Sequence, residues 1–256
     1  MLESRPLEPV MGYGWWDGQP QVLHQHTQGQ LIYPAVGVLA VTTDLGTWVA
    51  AADQVAWTPA GSEHSHRAPT RTEVAALAVP EELSSMLPPR PAVFAVSPLM
   101  REAMLTLSGG RVLRASARTR LEAVLVDELL DAPERSLYLP EPRDGRLRGV
   151  TELLRADLTD TRTLAELGRV AGASARTLSR LFHSELGMTF HQWRTQLRVQ
   201  HALVYLWQGH SVSSTSARCG WSNPSSFVDA FESIVGQTPG RYQAAQRLAG
   251  HRMPTR

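Results

Sequence analysis

The apolar residues of this chain change period along its length, and that change limits the elements it can form. Between residues 20 and 80 they fall in short β-branched runs: LIYPAVGVLAVTT (31–43), TWVA (47–50), QVAWTP (54–59) and VAALAVP (74–80). Gly, Pro, Asp and Thr separate the runs, a spacing that predicts a sandwich or small barrel. Pro34 puts its run at an edge or a bulge. After residue 81 the period becomes helical. SPLMREAMLTLS (97–108) opens on a Ser-Pro start signal. RLEAVLVDELLDA (120–132) sets Leu121, Val124, Leu125, Glu128 and Leu129 on one face, offering Arg120 to Leu129 as a surface for the barrel or for a second copy. The three prolines of APERSLYLPEPRDG (132–145) predict a linker. Beyond it, helices are predicted near 147–157, 163–171, 174–185, 189–208, 211–219, 224–235 and 239–248.

Charge divides at the same place. All 25 basic residues are arginine. Residues 1–145 hold 11 arginines against 17 acidic residues, a net of −6, whereas residues 146–256 hold 14 against 7, a net of +7. The basic half is therefore the one suited to a polyanion. No apolar run approaches the roughly 20 residues of a membrane helix, and the first residues show no secretory pattern. Cys219, the single cysteine, can make neither an intramolecular disulfide nor a cysteine-based zinc site. A cytoplasmic protein is expected.

Two stretches of the basic half repeat each other: TLAELGRVAGASARTLSRLFHSELG (163–187) and SVSSTSARCGWSNPSSFVDAFESIVG (211–236). Each has helix-turn-helix proportions. In the first, Gly172 permits the turn and Ser174 can cap the second helix. Ala175, Arg176, Ser179, Arg180 and His183 are then left exposed. Arginine can take guanine O6 and N7 together, so this face suits the major groove. The predicted helix 189–208 between the units would span about 30 Å, close to the roughly 34 Å of one DNA turn.

Residues 147–248 resemble the DNA-binding domain of the AraC/XylS transcriptional regulators. The resemblance rests on the A-G-x-S-x-R-T-L-S-R-L-F stretch, on Arg198, Ala202, Leu203 and Leu206 of the linker helix, and on a closing G-Q-T-P-G-R-Y that includes Gly236, Thr238, Pro239 and Tyr242. It implies DNA contacts from Ser174, Ala175, Arg176, Ser179, Arg180 and His183 in the first unit, and from Asn223, Pro224, Ser225, Val228 and Asp229 in the second. The second unit departs from the family pattern: Asp229 and Glu232 stand where basic residues are usual. Asp229 would repel phosphate, though it can accept from a cytosine amino group. The first unit is thus expected to dominate affinity.

The acidic half resembles the cupins at two motifs. His24-x-His26-x3-Gln30-x6-Gly37 matches the first, with glutamine in the acidic position, and Pro59-x-Gly61-x2-His64 matches the second. Asp53 replaces the glycine that normally opens that second motif. The resemblance implies a divalent transition metal, iron or zinc first, on His24, His26, Gln30 and His64; a pocket for an organic ligand is the alternative. Residues i and i+2 of a strand share a face, which explains the His-x-His spacing. His66 shares the face of His64 and is read as a fourth ligand or as a pocket histidine. Trp15, Trp16, Trp48 and Trp57 are read as core or pocket wall. His191, His201, His210 and His251 show no metal spacing.

The expected class is α+β: a cupin-like sensor barrel (1–80), a helical dimerisation segment and linker (81–145), and an all-α domain with two helix-turn-helix units (146–256). The expected function is a DNA-binding transcriptional regulator, activator or repressor, with a double-stranded operator as partner, a homodimeric assembly and an unidentified effector. A metal-dependent cupin enzyme with a DNA-binding appendix is the alternative; no catalytic residue is assigned.

Overall fold

A computed structural model of the chain describes residues 12–16, 22–135 and 137–251. In chain order the elements begin with β1 (Gly12–Trp16), β2 (Gly29–Val36), β3 (Val38–Thr42), β4 (Gly46–Ala51), β5 (Gln54–Thr58), β6 (Ser65–Arg67) and β7 (Thr72–Val79). There follow α1 (Glu81–Ser84), β8 (Ala92–Ala95), α2 (Pro98–Ser108), α3 (Ala115–Asp131) and β9 (Tyr138–Pro140). The remainder is helical: α4 (Gly145–Ala156), α5 (Leu164–Ala171), α6 (Ala175–Leu186), α7 (Phe190–Trp207), α8 (Val212–Arg218), α9 (Pro224–Val235) and α10 (Pro239–His251). The chain forms two compact units. Trp48–Leu137 and the described residues up to Asp44 make up the body of the first, while Leu45–Thr47 joins Tyr138–Ala244 in the second.

The strands form a five-stranded sheet in the order β1-β7-β2-β5-β8 and a four-stranded sheet in the order β6-β3-β4-β9. These are two open sheets, which corrects the expectation of a closed cupin-like barrel. The long apolar run 31–43 is two strands rather than one. Gly37 breaks it with φ 94°, a left-handed conformation that costs glycine little. Pro34 sits at a register shift between β2 and β7, the bulge its missing N–H predicts. β1, β6, β8 and β9 were not legible as strands, being three to five residues long.

Side chains alternate across β2, β5 and β7. Leu31, Tyr33, Val55, Trp57, Ala75, Leu77 and Val79 enter one core with Met100, Met104 and Leu107 of α2 and Leu125, Val126 and Leu129 of α3. Trp57 is the aromatic centre of this layer and donates its indole N–H to the Pro88 carbonyl at 2.9 Å. Ser97 caps α2 as its Ser-Pro signal predicts, accepting from the Met100 N–H. Residues 81–131 are therefore part of the first unit's core, and that unit does not end at residue 80. The expected linker 132–145 is also structured. Leu137 and Leu139 are fully buried, and Asp144 caps α4. Their alternation in SLYLP is the strand signal that the surrounding prolines conceal.

The second unit packs Leu147, Val150 and Leu154 of α4 against Leu167 of α5, Leu178 and Phe182 of α6, and Trp193 and Leu197 of α7. The helix starts are set locally. Thr163 and Thr189 head capping boxes closed by Glu166 and Gln192, each satisfying two backbone N–H groups a helix would leave unpaired. Among the described residues no helix is long and apolar enough to cross a membrane.

Candidate nucleic-acid interface and a buried histidine cluster

α5 and α6 form a short helix, a turn and a second helix. Gly172 makes the turn at φ 67°, and Ser174 caps α6 by accepting from the Thr177 N–H at 3.1 Å. Leu178, Phe182 and Leu186 hold α6 to its core, which leaves Arg176, Ser179, Arg180 and His183 exposed and Ala175 half-buried. Neither Arg176 nor Arg180 makes an ion pair or a hydrogen bond among the described residues. Both guanidiniums keep their donors for an external acceptor. Arg169, near the end of α5, is also exposed. Sequence reasoning missed it, although its place beside buried Leu167 and Gly168 gives the outward direction.

α8 and α9 repeat this arrangement. Asn223 caps α9 through its side-chain oxygen, with Ser225 N–H donating at 2.9 Å, and Pro224 fills the first helical position. Phe227, Phe231 and Val235 are buried. Pro224, Ser225, Asp229 and Glu232 are exposed, whereas Val228 is half-buried. The exposed face of α9 thus carries two carboxylates and no arginine, the reverse of α6.

α7 separates the two pairs with 18 residues, about 27 Å of helix. Its Arg198 is almost fully buried. The guanidinium donates to the Leu158 carbonyl at 2.9 Å and the Asp160 carbonyl at 3.2 Å, and lies 5.6 Å from the Trp221 ring centre. It ties the loop before α5 to the turn before α9, so Arg198 organises the unit and is unavailable to phosphate. Burial pushes the Cys219 thiol up to about 12; a thiol so rarely ionised is a poor nucleophile.

In the first unit the histidines converge. His24 and His64 form a two-way backbone bridge, with N–H to carbonyl distances of 2.9 and 2.8 Å. The His26 carbonyl accepts from Gly61 N–H at 2.9 Å, which anchors the Pro59–His64 turn. His66 lies on β6 opposite Val41 of β3. Ring centres of His24 stand 4.8 Å from His26, 4.5 Å from His64 and 5.5 Å from His66. All four imidazoles are buried, as is Gln30. Burial and neighbouring imidazoles disfavour the charged form. His24 is lowered, His64 falls to about 4 and His66 falls well below the usual value, with desolvation as the main cause in each. Ligand atoms of His24, His64 and His66 lie within 4.8 Å of one another. Of the four residues expected to hold a metal, His24 and His64 are in this trio, and His26 places its ring 4.8 and 5.1 Å from theirs. Gln30 is buried with both amide atoms lacking a hydrogen-bond partner. Trp16 flanks the cluster 5.6 Å from His66; Trp48 is buried, and the Trp15 side chain lies outside the described residues.

This second unit is that of a helix-turn-helix transcription factor. The Helix-turn-helix domain family matches residues 167–245. The chain is 33% identical over 224 residues to the HTH-type transcriptional regulator NimR of Escherichia coli K12, covering 87% of this chain and 82% of NimR. It is 34% identical over 116 residues to the HTH-type transcriptional regulator RipA of Corynebacterium glutamicum, spanning 44% of this chain and only 34% of RipA. Among solved structures, the DNA-binding domain of AdpA in complex with a target DNA is 28% identical. It covers 43% of this chain and 100% of that one, at a TM-score of 0.40. The chain belongs to the AraC family of transcriptional regulators.

Proposed function

We propose that this regulator reads a double-stranded operator chiefly through α6, while an effector bound in the first unit sets its affinity. The observation that carries the reading is the face of α6, where Arg176 and Arg180 stand free beside exposed Ser179 and His183. A guanidinium reads guanine by two parallel hydrogen bonds, and a free one carries no internal partner to lose first. α9 is the weaker reader. Asp229 and Glu232 repel phosphate, so the contributions of Asn223, Pro224, Ser225 and Val228 are to packing against the groove and to DNA shape.

The effector is a divalent metal or a small organic molecule. Supporting a sensor role, the first unit buries a polar cluster that a purely structural core has little use for. An apolar cleft in it, lined by Leu31, Leu77, Leu83, Glu122, Leu125 and Val126, encloses only about 10 Å³. That is below the roughly 300–1,000 Å³ of most organic-ligand sites. The effector acts by binding one DNA-competence state better than the other.

A homodimer completes the reading. The expected surface, Arg120 to Leu129, changes in one respect: Leu125 and Leu129 serve the protein's own core. The outer row of α3 is instead Arg120, Val124, Asp127 and Asp131. In an antiparallel two-fold pairing, Arg120 of each copy meets the aspartates of the other.

Arg180→Ala tests the α6 assignment. Operator affinity at fixed salt falls by about 1–3 kcal/mol, with preference relaxed at one base pair. Unchanged affinity and unchanged preference would remove α6 from the major groove.

A further inference from the structure

We propose that the first unit binds one divalent ion of the zinc class through His24, His64 and His66, with His26 against the same cluster, and that this ion is the effector. The effector clause rests on the regulator reading above; ion binding stands by itself.

The donor atoms are already selected. His24 Nδ1 lies 2.6 Å from the Val22 carbonyl, and His64 Nδ1 lies 2.8 Å from the Ser62 carbonyl. A carbonyl only accepts, so in each neutral ring the proton sits on Nδ1 and the lone pair on Nε2. That is the outer hydrogen bond by which metal-ligating histidines are oriented. His64 Nε2 is buried and has no hydrogen-bond partner.

The arrangement is set by two His-x-His pairs. The mutual backbone bridge locks His24 against His64, and strand alternation brings His66 to the same side as His64. One nitrogen from each of the three rings lies within 4.8 Å of the others, so modest side-chain rotation reaches the roughly 3.4 Å separation of a tetrahedral site with bonds near 2.1 Å. As a structural core the same cluster is costly, since it leaves the buried His64 Nε2 without a hydrogen-bond partner.

The chemistry of the set narrows the ion. The trio contains no carboxylate, so it is not the two-histidine, one-carboxylate set of the facial-triad iron oxygenases, and its imidazoles suit zinc, copper and nickel. Hard oxygen-seeking ions are excluded by the all-nitrogen donors. His66 takes the role that the cupin resemblance gives to Gln30.

The test uses the full chain, stripped of metal and titrated with Co(II) as a spectroscopic probe, then with Zn(II) as competitor. One equivalent of Co(II) is expected to produce visible ligand-field bands that Zn(II) abolishes. His66→Gln and His64→Gln, shown folded by circular dichroism, each weaken binding by about tenfold or more. X-ray absorption of the wild-type zinc complex, which needs no variant, counts at least three imidazole ligands. Absence of stoichiometric binding overturns the site. So does full binding by His66→Gln combined with loss in Gln30→Leu, the pattern of the cupin set. Binding to an operator selected in vitro, with and without one equivalent of Zn(II), tests the effector clause separately. A change in affinity of several fold supports it; equal affinity with the site filled overturns that clause and leaves the ion site standing.

Discussion

Gly168 and Gly172 show how much rests on single positions in the first helical pair. Gly172 holds φ 67° where α5 turns into α6, and a side chain there costs about 1 kcal/mol. Gly168 is inside a helix, where glycine is ordinarily a weak choice. A Cβ on it would strike the Ala173 carbonyl and press Leu178, which is why none is present. Gly168→Ala is therefore expected to destabilise the second unit by about 1–3 kcal/mol, despite the better helix propensity of alanine. Chemical denaturation measures it, and a stabilised variant would show that the turn relaxes freely. Arg198 carries more. Truncation to alanine strands two buried carbonyls and uncovers Trp221. A loss of about 2–4 kcal/mol is expected, with operator binding falling only as the folded fraction falls.

At the scale of elements, α6 and α9 share a design and differ in charge. α6 exposes Arg176 and Arg180, whereas α9 exposes Asp229 and Glu232. Asp229→Arg should therefore strengthen binding and steepen the dependence of log affinity on log salt by about one. An unchanged slope would place Asp229 away from the phosphates. α3 makes a comparable point. Its helical period is plain in the sequence, and three of its five marked positions, Leu121, Leu125 and Leu129, turn inward. Val124 stays exposed at 38%. On the proposed α3 pairing, Val124→Arg is expected to convert the dimer to monomer in sedimentation velocity with its melting temperature little changed. A variant that remains dimeric would move the interface off α3.

At the scale of the whole molecule, charge and composition divide the chain into an acidic unit with buried histidines and a basic unit with free arginines. Operator affinity is expected to fall linearly with the logarithm of salt, because arginine–phosphate contacts release counterions. Insensitivity to salt would contradict a phosphate-tracking surface. If both helical pairs enter the major groove as proposed, the roughly 27 Å of α7 predicts a footprint of about two helical turns per DNA-binding unit, on one face.

The helices of the second unit are legible in the sequence almost residue by residue. α9 was expected over 224–235 and spans Pro224–Val235; α6 was expected over 174–185 and spans Ala175–Leu186. Capping residues, left-handed glycines and apolar period act within about four positions, so one short stretch contains the whole signal. The free arginines of α6 were legible for the same reason. What depends on pairing between distant strands is absent from any local pattern. The two open sheets, the inward turn of Leu125 and Leu129, the burial of Arg198 and the meeting of His66 with His24 are of that kind. Register between strands is fixed by the packing of whole faces, and no local pattern around residue 66 specifies that it will stand beside residue 24.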